Sequence, residues 1–87
     1  MIRTDDWRAL SEKGYLHIDI QEELPLEGLE ILVLGPSRNT LHKGPVTSHH
    51  FDLDLSTLEP TFVELVEGHS RSVRYVEGSG GSWYGMN

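Results

Sequence analysis

Apolar and polar residues alternate with period two along several stretches of this chain, and no other feature restricts its fold as much. Leu16, Ile18 and Ile20 fall on one parity, with Tyr15, His17 and Asp19 on the other. Phe51, Leu53 and Leu55 alternate in the same way with His50, Asp52 and Asp54, within a strand expected over 46–55. Successive side chains of a strand point to opposite faces, so each stretch reads as a half-buried strand. Leu29 to Leu34 is interrupted only by Glu30 and reads as the most buried strand of the sheet. A linker with Glu22, Glu23 and Pro25 runs to Gly28, and a loop begins at Gly35 and closes at Gly44-Pro45.

The last third of the chain predicts a hairpin. Residues 61–67 and 71–77 are strand-like and divided by Gly68, His69 and Ser70, a three-residue connection. In that register Glu67 faces Arg71 and Glu64 faces Arg74, while Leu65 faces Val73 and Val63 faces Tyr75. Both ion pairs and the apolar pairs are then satisfied together, and cross-strand pairs are the unit of sheet stability. A two-residue loop on Gly68-His69 would instead set Glu64 opposite Val73 and Glu67 opposite Ser70.

The N-terminus reads differently. Thr4 precedes Asp5 and Asp6 as an N-cap precedes acids in a first helical turn, where the dipole favours them. Trp7 and Leu10 stand three apart, and Gly14 suits the C′ position, so the pattern predicts a helix over 5–13. The fold class expected is α+β: a short N-terminal helix packed on a mainly antiparallel sheet of about five strands, which could curl into a partial barrel. At 87 residues the chain supports one small domain, 1–87.

Composition bounds the function. Fourteen Asp and Glu oppose seven Lys and Arg, for a net charge of −7. Such a balance argues against general nucleic-acid binding, which depends on neutralising phosphates, and suits a protein partner with a basic surface. There is no Cys, which excludes a disulfide framework, a CxxC redox motif and a thiolate metal knuckle. The longest apolar run falls far short of a membrane helix, and Met1 leads into charged residues rather than a secretory apolar region. A soluble, cytoplasmic protein that does not bind membranes is therefore expected.

Three groups of residues could carry chemistry. His17-Ile18-Asp19 and His50-Phe51-Asp52 are two His-x-Asp units, and residues two apart in a strand share a face. If those strands were neighbours, His17, Asp19, His50 and Asp52 would form a nitrogen and oxygen site acceptable to zinc, manganese or iron. His49 and His50, adjacent in one strand, are expected to face opposite sides and not to act together. The loop after Leu34 is the one base-rich stretch, and Arg38, Thr40, His42 and Lys43 could hold a phosphate or carboxylate, though no P-loop pattern is present. Finally, Trp83 and Tyr84 follow the Gly/Ser run 78–82 and are of the residue types that anchor interfaces.

The reading favoured by these features is non-catalytic, cofactor-free binding by a small acidic inhibitor, adaptor or immunity-type protein. Its acidic linker residues Glu22, Glu23 and Glu27, with Trp83 and Tyr84, would meet a basic site on a partner protein. A small metal-dependent enzyme using the His-x-Asp units and an anion or nucleotide binder using the 35–43 loop are the alternatives, and self-association is compatible with each.

Overall fold

The structure, a computed structural model, describes residues 2–55 and 60–77. Seven strands occupy them: β1 (Trp7–Glu12), β2 (Tyr15–Ile20), β3 (Leu29–Leu34), β4 (Thr40–Pro45), β5 (His50–Asp54), β6 (Phe62–Glu67) and β7 (Ser70–Tyr75). The only helical element among the described residues is a 3-10 turn, Thr4–Asp6. The architecture is therefore all-antiparallel in its ladders and not α+β. The three-stranded sheet has the order β1-β2-β5, and the four-stranded sheet β4-β3-β6-β7.

The helix expected over 5–13 is replaced by β1. Trp7 and Ala9 are buried on one side while Arg8 and Leu10 stand out on the other, a two-residue period that a helix cannot make. An isolated helix of this length is marginal in water. Pairing offers more: all six residues of β1 lie opposite β2, from Trp7 opposite Ile20 to Glu12 opposite Tyr15. The turn between them is Lys13-Gly14, at φ 54° and 84°. Positive φ at both central residues is the type I′ signature, whose twist matches that of the flanking strands. Gly14 thus serves a hairpin and not a helix end.

The second correction is the register of the C-terminal hairpin. Glu67 lies opposite Ser70 and Glu64 opposite Val73, so the connection has two residues, Gly68-His69, not three. Gly68 sits at φ 59°, and His69 has no positive φ, the type II′ pattern that two-residue hairpins favour. The charge pairing survives by another route. Arg71 faces Val66 but reaches diagonally to Glu64, 2.9 Å from Nη1 to Oε1. Arg74 is not opposite Glu64: it sits over the Trp7 ring, 5.9 Å from its centroid, and donates to the Thr4 and Trp7 carbonyls.

Two further bounds differ from expectation. Within the expected loop 35–45, residues 40–45 form β4, which pairs with β3 through a bulge at Val33/Leu34. Within the expected strand 46–55, only His50–Asp54 is strand, and Val46 is buried outside it.

The core lies between the two sheets. Leu16, Ile18, Leu29, Ile31, Val33, Val63 and Leu65 are all at most 1% exposed. Trp7 spans the layers, its indole Nε1–H donating to Ser72 Oγ on β7 at 2.8 Å. At one margin the sheets join: Glu77, just past β7, runs parallel beside Leu10, with Ser11 N–H donating to its carbonyl at 2.7 Å.

Candidate functional site

The two ladders of the three-stranded sheet place its outward residues in three rows. They run Arg8, Asp19, His50; then Leu10, His17, Asp52; then Glu12, Tyr15, Asp54. Every second residue of each strand faces away from the core, so the alternation seen in β2 and β5 supplies six of these nine positions. The other three come from β1. The strands carrying the His-x-Asp units are thus neighbours, with each histidine opposite the other unit's aspartate.

The pairs touch. His17 Nδ1 lies 2.5 Å from Asp52 Oδ1, and His50 Nδ1 lies 2.9 Å from Asp19 Oδ1. Each ring also turns its second nitrogen towards a glutamate: His17 Nε2 is 3.8 Å from Glu12 Oε1, and His50 Nε2 is 2.8 Å from Glu22 Oε1. The hydrogen bond that His17 donates to Asp52 raises its pKa above the ordinary 6.5, opposed by desolvation and helped by the charges of Asp52, Glu12 and Asp19. His50 is raised in the same way, by its hydrogen bonds to Asp19 and then Glu22. His17, Asp19, His50 and Asp52 are brought together as two ion pairs side by side. Among the described residues, no three His, Asp or Glu side chains stand around a common point as a metal site would require.

His49 departs from expectation. It lies in a bend before β5, and the turn after β2 folds back beside it. Its Nε2–H donates to the Leu24 carbonyl at 2.8 Å, and its Nδ1 is 3.5 Å from Glu22 Oε2. His49 and His50 therefore share one carboxylate despite being adjacent in sequence.

The remaining candidates are dispersed. Glu22, Glu23 and Glu27 are exposed on the linker beside the three-stranded sheet, and of these Glu22 is engaged by histidine. Arg38, at φ 62°, lays its guanidinium over the Phe62 ring, 4.8 Å from its centroid. Thr40 and Lys43 lie opposite Leu34 and Leu32, whereas His42, opposite Val33, is half-buried. His42 and Lys43, adjacent in β4, point to opposite faces of the sheet. Trp83 and Tyr84 lie outside the described residues.

The sequence reading missed Leu10, Glu12 and Tyr15 as site residues. Leu10 and Tyr15, at 43% and 48% exposure, are large side chains on the outward face. Glu12 and Asp54 flank Tyr15 across the ladders, and His17 and then Asp52 continue the row of Leu10. The signal was available: with Lys13-Gly14 taken as a type I′ turn, Trp7 and Ala9 fall inside, and Leu10 is left with the polar set.

Charge is divided between the layers. The segments 2–28 and 46–55, which build the three-stranded sheet and its linker, hold nine carboxylates and three bases. The segments 29–45 and 60–77, which build the four-stranded sheet, hold four of each. A shallow groove of about 200 Å³ adjoins the acidic face, walled by Asp5, Asp6, Asp19 and His50. It is smaller than the ~300–1,000 Å³ usual for small-molecule sites.

No family model, curated protein or solved structure matches this chain. No helix among the described residues is long and apolar enough to cross a membrane.

Proposed function

We propose that the protein acts by non-catalytic binding, docking the outward face of its three-stranded sheet onto a basic surface of a partner protein. One observation carries this reading: Leu10 and Tyr15 stand exposed on the face that also carries Glu12, Asp19, Asp52 and Asp54. An apolar centre within a charged rim is the usual anatomy of an interface, with tyrosine enriched among its energetic anchors. The carboxylates around it would steer a basic partner and fix its register, in the manner of an inhibitor, adaptor or immunity-type protein. The missing thiols fit a cytoplasmic setting.

Affinity capture with paired baits tests the proposal. The wild-type chain should retain a stoichiometric basic protein that is released as salt rises from about 0.05 to 0.5 M, since screening weakens such attraction. Tyr15→Ala should lower affinity for that protein at least about tenfold, the scale of an interface anchor. Equal retention by the Tyr15→Ala bait, or binding indifferent to salt, would reject the docking face.

A further inference from the structure

The three-stranded sheet ends on β5, and the far side of that strand has backbone groups to offer. Two bonds bracket the β2–β5 ladder: Ile20 N–H donates to the His49 carbonyl at 2.7 Å, and Leu55 N–H to the Gly14 carbonyl at 2.9 Å. Hydrogen-bonded and non-hydrogen-bonded pairs alternate along an antiparallel ladder. Phe51 and Leu53, opposite Ile18 and Leu16, therefore direct their backbone groups at β2, whereas those of His50 and Asp52 point away from it. At His50 the Ser48 hydroxyl takes them up, donating to the carbonyl at 3.0 Å and accepting from the N–H at 3.4 Å. At Asp52 no described residue does so.

The inner row of β5 is open on the same side. Phe51 and Leu53 pack against the core yet are only half-buried, while Ile18 and Leu16 across the ladder are fully buried. A strand laid beside β5 would complete the hydrogen bonding of Asp52 and cover both side chains. The edge strand of the other sheet, β4, is protected against such pairing. Pro45 has no N–H, Lys43 stands exposed, and the ladder with β3 is bulged at Val33/Leu34. β5 has none of these devices: its register with β2 is unbroken and it contains neither Pro nor Lys.

Charge selects the occupant. The outward positions of β5 are His50, Asp52 and Asp54, with Asp19 and Glu22 against His50. Pairing β5 along its full length with the β5 of a second copy sets Asp52 against Asp52, and like charges directly opposite are unfavourable. A strand with basic residues at alternate positions meets the opposite charge instead. We propose that the partner contributes an extended segment, basic and apolar by turns, which pairs antiparallel with β5 as a fourth strand of this sheet. The proposal rests on the docking reading for the partner's charge and adds the form in which the partner arrives. Antiparallel pairing is slightly the more stable per residue and is the arrangement of all five ladders in the described fold. Basic side chains then stand opposite the outward row, and apolar ones opposite Phe51 and Leu53. Main-chain bonds supply affinity and the alternate side chains supply selectivity, as at other exposed edges that accept a strand.

A fluorescein-labelled heptapeptide of alternating Val and Lys, with Val at both ends, tests this by fluorescence anisotropy with the full chain. One peptide per chain is expected to bind, saturably. In the proposed register its lysines form the hydrogen-bonded pairs with β5. Methylating the lysine backbone nitrogens should therefore weaken binding at least about tenfold, as loss of two or more hydrogen bonds does. Methylating the valine nitrogens, which point away from β5, should leave binding nearly unchanged. Asp52→Lys should also weaken binding at least about tenfold. No saturable binding, equal effects of the two methylations, or undiminished binding by Asp52→Lys would each overturn the added strand. Circular dichroism verifies the fold of the variant, and the methylated peptides decide the matter on the wild-type chain if it does not fold. A partner lost by Tyr15→Ala while the peptide fails to bind would remove this proposal and leave the docking face. Peptide binding with no effect of Tyr15→Ala on the partner would do the reverse.

Discussion

His17 shows how a single side chain can be bland in sequence and specific in place. In sequence it is one half of a His-x-Asp unit, and the ladder sets Asp52 against one nitrogen and Glu12 near the other. Asp19, beside it on β2, adds a third negative charge, and together they hold its pKa above 6.5. A pKa raised on folding stabilises the folded state fully below the unfolded value and loses that contribution as pH climbs through the folded one. Wild type should therefore lose more stability than His17→Gln between about pH 6 and pH 9, as read by melting temperature. Equal losses would show that the pairing is too well solvated to matter.

At the scale of elements, turn chemistry decides which strands exist. Gly68 illustrates it: φ is 59°, and an added Cβ would meet nothing within 4 Å. The cost of Gly68→Ala is thus conformational and not steric crowding, about 1–2 kcal/mol for holding an L-residue in a left-handed conformation. Urea unfolding should record that loss. A neutral Gly68→Ala would mean that the loop relaxes to another turn. The same logic explains the N-terminal hairpin. Thr4, expected as the N-cap, lies instead within a single 3-10 turn capped at Arg3, whose N–H donates to Asp6 Oδ2, before pairing with β2 takes the chain from Trp7 onward.

At the scale of the whole molecule, partners distant in sequence dominate. β2 pairs with β5, β3 with β6, and the end of β7 meets β1, so nearly the full described chain lies between the first and last contacts. Closing such loops precedes the reward of the contacts they bring, so folding should be slow for so short a chain. Stopped-flow refolding followed by Trp fluorescence should give a relaxation of milliseconds to seconds, the range of all-β domains. A microsecond phase carrying the whole amplitude would contradict this topology. The division of charge also belongs to this scale. Blocks of acid are visible along the chain, but only the layering gathers nine carboxylates in the segments that build the three-stranded sheet and its linker and leaves the other sheet balanced.

Local chemistry was sufficient for much of this protein. The alternation of β2 and β5, the apolar run of β3 and the glycines at the turns each act within a few residues, and all are legible in order. β1 was hidden because a six-residue strand and a short helix can share the same few apolar residues, and only a pairing partner separates them. Hairpin register was misassigned to a three-residue connection because both loop lengths gave plausible cross-strand pairs; the backbone twist demanded of the turn selected the shorter one. The site itself was half visible. Alternation set which face His17, Asp19, His50 and Asp52 occupy, yet a period of two says nothing about which strand lies alongside. Neighbourhood between strands is set by non-local packing of the buried face, and that choice alone brought His17 to Asp52, His50 to Asp19, and both His49 and His50 to Glu22.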